Sequence, residues 1–206
     1  MLNFFRKNLS YIRFVLNRIK RFFNQIFLFY IPNNLKFRIT KIQFLGELPI
    51  VNQKTFITGK GKVIIGDKCN FGYKPGGFHY CGAIEFQARQ VNSTIKIGNN
   101  IATNNNIFIC AANSISIGDN CLIGQNITIM DFEAHGLHPK QRRTIGSIGK
   151  VVIKENVWIG NNVIILKNSV IGVNCIIAAG AVVSGKFPDN VIIGGVPAKI
   201  IKKIDV

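Results

Sequence analysis

The sequence predicts an all-β solenoid, because its aliphatic residues recur at every sixth position over a long stretch. An amphipathic helix repeats its apolar face roughly every 3.6 residues and a half-buried strand about every 2, so a period of six indicates one inward residue on each flat side of a coil. The six-residue register comprises Ile153, Ile159, Ile165, Ile171, Ile177 and Val183. A second register, four residues later, comprises the smaller side chains Val157, Val163, Ser169, Cys175 and Ala181.

Small residues and asparagines mark the predicted bends of the coil. Gly or Ala follows the aliphatic position in Ile159-Gly160, Ile171-Gly172 and Ile177-Ala178, which suits turns that need positive φ. The same pattern occurs earlier in the chain, at Ile117-Gly118, Ile123-Gly124, Ile65-Gly66 and Ile97-Gly98. The repeats therefore cover roughly residues 55 to 200, and we divide the chain into an N-terminal segment, residues 1–46, and a β-helical domain, residues 47–206.

The N-terminal segment is basic and has the pattern of an amphipathic helix. It contains nine Lys or Arg and no acid, in a chain with a net charge of +17. Pro32 should end the helix, because proline disfavours α geometry in the residue before it. The apolar residues are spaced alternately by three and four, as on one face of a helix: Leu2, Phe5, Leu9, Ile12, Leu16, Ile19, Phe23, Ile26 and Tyr30.

Three interpretations of residues 1–31 compete. The helix packs on the solenoid or on a neighbouring subunit and covers exposed sheet edges. Alternatively, it lies on an anionic membrane, with Phe4, Phe14, Phe22, Phe27 and Phe29 widening its apolar face. Binding of nucleic acid is not expected, because no recognised binding module accompanies the charge.

The remaining composition favours a cytoplasmic protein. The five cysteines have no C-x-x-C spacing, and Cys121 and Cys175 fall in the small inward register, which favours structural thiols over a disulfide or metal framework. The sequence contains no run of about 18 uncharged apolar residues, so no transmembrane helix is predicted. The N-terminus also lacks the pattern of a signal peptide.

The hexad pattern breaks once, from Met130 to Lys150, and this break is the predicted catalytic loop, residues 130–150. It contains the sequence Asp131-Phe132-Glu133-Ala134-His135-Gly136. A charged insertion that leaves a regular scaffold is a common place for a site. Imidazole can accept a proton from a hydroxyl nucleophile at neutral pH, and either Asp131 or Glu133 could orient its ring. We assign the orienting role to Asp131.

The repeats, together with Asn156-Val157-Trp158-Ile159-Gly160 and Gly194-Gly195-Val196-Pro197-Ala198-Lys199, resemble the hexapeptide-repeat acyltransferases, and the break resembles their polysaccharide O-acetyltransferase branch. The resemblance implies a left-handed parallel β-helix whose 18-residue coils stack Ile153 over Ile171, Ile159 over Ile177 and Ile165 over Val183. It further implies a homotrimer that transfers acetyl from acetyl-coenzyme A to a hydroxyl of a glycan acceptor. No metal is expected.

Site residues carried over from the family fall into three groups. His135 is the catalytic base, and the backbone amide of Asn161 lies near the thioester carbonyl, where it could stabilise an oxyanion. The expected coenzyme contacts are Trp158, Gly160, Ala179, Ser184, Lys186, Lys199 and Lys202. The expected acceptor contacts are Asn104, His79 and Arg142.

Other functions fit parts of the same pattern. The acceptor could be an amino group on a nucleotide sugar or a small molecule, which would make the protein an N-acetyltransferase. A zinc enzyme of the γ-carbonic anhydrase type would need His79, His135 and His138 to converge on one ion, but their spacing departs from that class. The remaining alternative is a scaffold without catalysis.

Overall fold

A computed structural model describes residues 2–33 and 41–205, and it shows a three-sided solenoid preceded by a helical segment. From β1 to β20 every third strand joins the same sheet, and β21 is added to sheet II beside β20. Sheet I contains β1 (Lys41–Phe44), β4 (Lys62–Ile65), β7 (Thr94–Ile97), β10 (Ser114–Ile117), β13 (Lys150–Ile153), β16 (Val170–Ile171) and β19 (Lys186–Phe187). Sheet II contains β2 (Ile50–Val51), β5 (Asn70–Phe71), β8 (Ala102–Thr103), β11 (Leu122–Ile123), β14 (Trp158–Ile159), β17 (Ile176–Ile177), β20 (Val191–Gly195) and β21 (Ala198–Lys203). Sheet III contains β3 (Thr55–Gly59), β6 (Ile84–Ala88), β9 (Ile107–Ala111), β12 (Ile127–Met130), β15 (Ile164–Ile165) and β18 (Val182–Val183).

The predicted stacking of the hexads is confirmed. Ile153 pairs with Ile171, Ile159 with Ile177, and Ile165 with Val183, each in a parallel ladder. These side chains point inward and are fully buried, as are the residues of the small register. Four of the five cysteines, including Cys121 and Cys175, are buried free thiols. Burial raises the pKa of Cys121 to about 11, which keeps it a neutral packing residue.

Asparagines hold the corners between the sheets. Asn156, Asn162, Asn168 and Asn174 all have φ between 55° and 64°, the left-handed region that Asn tolerates better than most residues. The amides of Asn156 and Asn174 also donate to the next coil. At the corner between sheets I and II, Asn156 Nδ2 donates to Asn174 Oδ1 at 2.7 Å. These bonds fix the register of successive turns.

The solenoid begins earlier than the sequence predicted. Strand β1 pairs with β4 from Lys41↔Lys62 to Phe44↔Ile65, so the boundary at residues 46 and 47 is wrong by one strand. This strand was missed because its neighbours on either side lack the six-residue register. At the break in the repeat, β12 ends at Met130 and β13 begins at Lys150.

The N-terminal helix α1 (Leu2–Gln25) continues as a π-helical turn, Ile26–Tyr30, and a short helix α2 (Ile31–Asn33). The expected stop before Pro32 is wrong, because the buried side chain of Asn33 holds the last turn in place. Its Nδ2 donates to the carbonyls of Phe29 and Thr55 at 2.6 and 2.7 Å, and its Oδ1 accepts from Ile57 N–H at 2.6 Å. Asn33 thereby joins the helix end to strand β3.

The apolar stripe of α1 does not pack on its own solenoid. Ile12, Leu16, Ile19 and Phe23 are about half exposed, whereas Phe29, in the π-helical turn, is buried. Instead α1 approaches the first coil with its polar side, where Gln25 Nε2 donates to Pro49 O at 3.4 Å. The side chains of Leu2, Phe5 and Leu9 lie outside the described residues. The helical segment therefore contacts the first coil through its polar side and Phe29, while the described part of the apolar stripe stays exposed.

Candidate active site

The break in the repeat forms an arm, residues 131–149, at the corner between sheets III and I. Its two sides pair with each other: Glu133 N–H donates to Ser147 O at 3.0 Å, Gly146 N–H to Glu133 O at 3.0 Å, and Gly136 N–H to Thr144 O at 2.9 Å. The arm is thus a hydrogen-bonded hairpin and not a free loop. His135 lies on its outer part and is exposed.

The His135 ring is oriented by a backbone carbonyl. Its Nδ1 is 2.6 Å from Arg142 O. Because a carbonyl oxygen only accepts, the proton must be on Nδ1, and Nε2 keeps its lone pair. This arrangement leaves a proton-accepting nitrogen exposed on the arm, as a general base requires.

The predicted role of Asp131 is wrong. Its carboxylate is buried and accepts three backbone hydrogen bonds, from Ala112 N–H at 2.7 Å, Asn113 N–H at 2.9 Å and Ser114 N–H at 2.6 Å. Asp131 is the first residue after β12, so its side chain turns back onto the preceding coil instead of following the arm outward. It anchors the base of the arm and cannot orient the imidazole.

Glu133 does not contact His135 either. Its carboxylate accepts from Ser147 N–H at 3.2 Å and pairs with Lys167 at 3.2 Å. The Ser147 hydrogen bonds first, and Lys167 after them, hold the pKa of Glu133 below its ordinary value. The sequence reasoning missed Arg142 as the orienting residue. Every residue has a backbone carbonyl, so the residue type does not indicate which carbonyl contacts the imidazole. The Arg142 side chain, predicted to bind the acceptor, is exposed on the arm.

Three of the residues predicted on the coenzyme side stack at the corner between sheets II and III. A Cβ added to Gly160 would lie 2.7 Å from Ala179 N, and Gly180 N–H donates to Asn161 O at 2.9 Å. Asn161 Oδ1 accepts from Gln125 N–H in the coil before. In the following coil the corresponding residue is Ala179, whose side chain has no oxygen that could accept from Asn161 N–H. Within the described residues no acceptor is found for this N–H group. A donor of this kind can stabilise an oxyanion.

A second excursion, which the sequence reasoning missed, stands at this same corner. It is the Gly-rich loop, residues 72–83, between β5 and β6. Buried Asn105 holds it: Asn105 Oδ1 accepts from Tyr73 N–H at 2.9 Å, and Nδ2 donates to Tyr73 O and Gly77 O at 2.8 and 2.9 Å. A Cβ on Gly77 would lie 2.8 Å from Gln125 Oε1, so the loop packs closely along the corner. The run Pro75-Gly76-Gly77 was the available signal for it.

A groove of about 550 Å³ runs along sheet II beside this loop. Trp158 lines it and is 53% exposed, so it is not a core residue. Asn104 and Asn161 also line it, which brings a predicted acceptor contact and a predicted donor residue together. The other lining residues are Asn52, Asn70, Gly72, Tyr73, Ala102, Thr103, Leu122, Ile123 and Gly124.

The other predicted site residues are dispersed. Lys199 and Lys202 are exposed on β21, which pairs antiparallel with β20 at the end of sheet II. Ser184 and Lys186 lie at the corner between sheets III and I, away from Asn161. His135 belongs to that corner too, because its arm joins β12 to β13. The arm with His135 and the corner with Asn161 thus leave the coil at different edges.

His79 lines a different cavity, of about 550 Å³, between the Gly-rich loop and α1. Its ring meets Tyr80 edge-to-face at 4.8 Å between centroids. His138 accepts from Lys140 N–H and begins the 3₁₀ turn Pro139–Gln141. In residues 2–33 and 41–205 no group of three His, Cys, Asp or Glu side chains could hold a metal ion. Zinc ligation by the three histidines thus has no support in this geometry.

Comparison with known proteins identifies the repeats. Residues 150–185 match the family described as "Bacterial transferase hexapeptide (six repeats)". The chain is 37% identical over 115 residues to galactoside O-acetyltransferase of Escherichia coli (strain K12), a match that covers 55% of this chain and 56% of that protein. It is 37% identical over 120 residues to a putative lipopolysaccharide biosynthesis O-acetyl transferase of the same strain, covering 53% and 60%. The similarity thus spans under two thirds of either relative.

A solved structure extends the likeness to the whole fold. A galactoside acetyltransferase in complex with coenzyme A matches with a TM-score of 0.55 at 24% identity, over 91% of this chain and 82% of that one. The predicted resemblance to the hexapeptide transferases is confirmed over residues 150–185, and the solved structure shows the same fold.

Proposed function

We propose that the protein is an acyl-coenzyme A-dependent O-acetyltransferase that modifies a hydroxyl of a sugar in a surface polysaccharide or its lipid-linked or oligosaccharide precursor. The observation that carries the proposal is the His135 ring, held by Arg142 O through Nδ1 so that Nε2 is free. The named activities of the two Escherichia coli relatives support the reaction class and the kind of acceptor.

The chemistry follows from this geometry. A sugar hydroxyl is far too weak an acid to ionise at neutral pH, so its proton must leave as oxygen attacks the thioester carbonyl. His135 Nε2 takes that proton, while the Arg142 carbonyl stabilises the resulting imidazolium through Nδ1–H. The proton then passes to the departing thiolate. Asn161 N–H, which has no acceptor among the described residues, would donate to the carbonyl oxygen as negative charge develops there.

The corner around Asn161 fits the thioester arm of the coenzyme. Gly160 and Ala179 leave the backbone uncovered, and a larger side chain at Gly160 would meet the next coil. Lys199 and Lys202 lie further along sheet II, where their charges suit the coenzyme phosphates. Ser184 and Lys186 lie at another corner and would contact a coenzyme bound to a neighbouring subunit.

A complete site would need a second subunit. The arm with His135 and the corner with Asn161 are on different edges of the three-sided coil, so we infer a homotrimer in which the arm of one subunit meets the Asn161 corner of the next. We also infer the left-handed coil of this family. Sedimentation equilibrium at micromolar concentration should give a trimer, and a monomer that transfers acetyl would refute the shared site.

The protein would act in the cytoplasm, peripherally at the inner face of the membrane. No helix in residues 2–33 and 41–205 is long and apolar enough to span a bilayer. However, α1 exposes an aromatic and aliphatic stripe, and Phe14, Phe22 and Phe27 are exposed as well. Arg13 and Arg18 lie on the same helix, which suits an anionic membrane surface.

Release of free coenzyme A from acetyl-coenzyme A tests the activity directly. The purified protein would be given hydroxyl acceptors (galactosides, oligosaccharides and lipid-linked glycans) and, in parallel, amino-sugar nucleotides. Release with a hydroxyl acceptor and an added acetyl mass on that acceptor support the proposal. Release with amino acceptors alone would make the protein an N-acetyltransferase, and no release with any acceptor would favour a scaffold.

A further inference from the structure

A cleft of about 430 Å³ lies between helix α1 and the first coils of the solenoid. The helix contributes the polar side that faces the protein, and the solenoid contributes residues of β2 and β5. Most of the wall is made of amide and cationic side chains. The cleft is lined by Asn17, Lys20, Arg21, Asn24, Gln25, Ile50, Val51, Asn52, Asn70 and Lys74.

Positive charge from two separate elements converges in this cleft. Lys20 and Arg21 come from α1, and Lys74 comes from the Gly-rich loop. Lys20 and Lys74 line the same cleft, and both side chains are exposed to solvent. Burial first, and then Lys20, lower the pKa of Lys74. None of the residues described as lining the cleft is Asp or Glu, so nothing in its wall balances these charges.

A basic helix face usually extends its lysines apart into water, because like charges repel at short range. Here two lysines from separate elements line one cleft with an arginine and several amide side chains. That arrangement is unfavourable when the cleft contains only water and favourable when an anion lies between the cations. Amide N–H groups and ammonium ions are the donors that phosphate oxygens accept from.

We propose that this cleft binds a phosphate or diphosphate ester group. Lys20, Lys74 and Arg21 would contact its oxygens, and Asn52 and Asn70 line the side of the cleft that continues onto sheet II. The cleft is at the opposite end of sheet II from Lys199 and Lys202. Six strand spacings separate β2 from β20, a distance of about 29 Å at the usual strand separation. The phosphates of coenzyme A held at β21 therefore do not reach the cleft.

The cleft continues into the groove that contains Trp158 and Asn161, because Asn52 and Asn70 line both. A ligand with a phosphate at Lys20 and Lys74 would extend its sugar along sheet II toward Asn104. The acceptor of the proposed acetyl transfer would then be a phosphate-linked sugar. This last step rests on the proposed function, whereas binding of the anion does not.

Titration of inorganic pyrophosphate into the full-length protein at low salt, followed by calorimetry, tests the site without any acetyl transfer. We expect saturable binding that weakens about tenfold in Lys20→Gln and in Lys74→Gln, since each removes one charge-assisted hydrogen bond. Lys60→Gln removes one exposed charge elsewhere and should bind as the unmodified protein does. Thermal melting confirms that each variant is folded.

Two further measurements identify the source of the anion. Lys199→Gln should leave pyrophosphate affinity unchanged, and a loss that follows Lys199 instead of Lys74 would overturn the assignment. Flotation with phosphatidylcholine vesicles, with and without phosphatidylglycerol, tests a lipid headgroup as the source. If pyrophosphate does not bind but flotation on the anionic vesicles weakens in Lys20→Gln and Lys74→Gln, the cleft holds a lipid phosphate. If neither ligand depends on these two lysines, the proposal fails, whatever the outcome of the acetyl-transfer assay.

Discussion

The Gly-rich loop and the arm both leave the solenoid between two strands, but they differ in how they are held. The loop is fastened to the coil by side chains of the coil, chiefly buried Asn105. The arm is fastened to the coil by its own Asp131 and by the ion pair between Glu133 and Lys167, and its two sides pair with each other. The loop therefore shapes a wall of the groove at its own corner, whereas the arm carries His135 away from its corner, where it can serve a neighbouring subunit.

Replacing His135 by Ala should have the largest effect and should affect activity alone. Loss of the proton-accepting nitrogen lowers kcat by about 10² to 10⁴-fold. The melting temperature should not change, because His135 is exposed and contacts only its own arm. His138→Ala on the same arm is the matched control and should retain turnover. Full activity in His135→Ala would show that the arm is not the catalytic excursion.

Asp131→Asn should detach the base of the arm. The Asn side chain has an NH₂ group, which cannot accept a hydrogen bond from the backbone N–H groups that the Asp131 carboxylate binds. We expect the loss of these charge-assisted hydrogen bonds to lower the free energy of unfolding by about 3 kcal/mol. Urea denaturation measures this change. Asp67→Asn, whose carboxylate accepts one exposed N–H from Glu47, is the control and should lose under about 1 kcal/mol. Equal losses in the two variants would contradict the anchoring role of Asp131.

Asn105→Ala should loosen the Gly-rich loop and leave the arm intact. It removes three hydrogen bonds from a fully buried position, which costs about 2 kcal/mol. Limited proteolysis should then cut within residues 72–83 sooner than in the unmodified protein. The neighbouring Asn104→Ala should weaken acceptor binding without faster cleavage. Cleavage that moves to the arm would show that the two excursions are coupled.

The smallest expected effect is on the pH dependence of hydrogen exchange in the middle of the arm. Because the pKa of Glu133 is lowered in the folded protein, its contribution to stability is present at neutral pH and is lost as the pH falls through that lowered pKa. Hydrogen-exchange protection of arm amides should therefore decrease in acid. Glu133→Gln should show lower protection at neutral pH and a flatter profile. An identical profile in both proteins would exclude Glu133 as the cause.

The regular part of the fold could be predicted from the sequence because every coil requires the same kinds of residue at the same positions. An aliphatic residue such as Ile159 must fill the interior, and a residue such as Asn162 must tolerate positive φ at the corner. The arm was found by the failure of that period. The Gly-rich loop was missed because Asn105, which holds it, sits in a later coil. The Arg142 carbonyl was missed because every residue has one, and Asp131 was misassigned because spacing along the chain does not give side-chain direction.

The arm also has a consequence for how the solenoid assembles. The corner bond between Asn106 and Asn126 joins residues 20 apart, while the next one, between Asn126 and Asn162, joins residues 36 apart. Closing that longer loop costs about 0.5 kcal/mol more in chain entropy. In an array where each coil contacts only its neighbours, cooperativity weakens at the costliest junction. We expect the coils before the arm and those after it to behave as two folding units, with the arm at the junction between them.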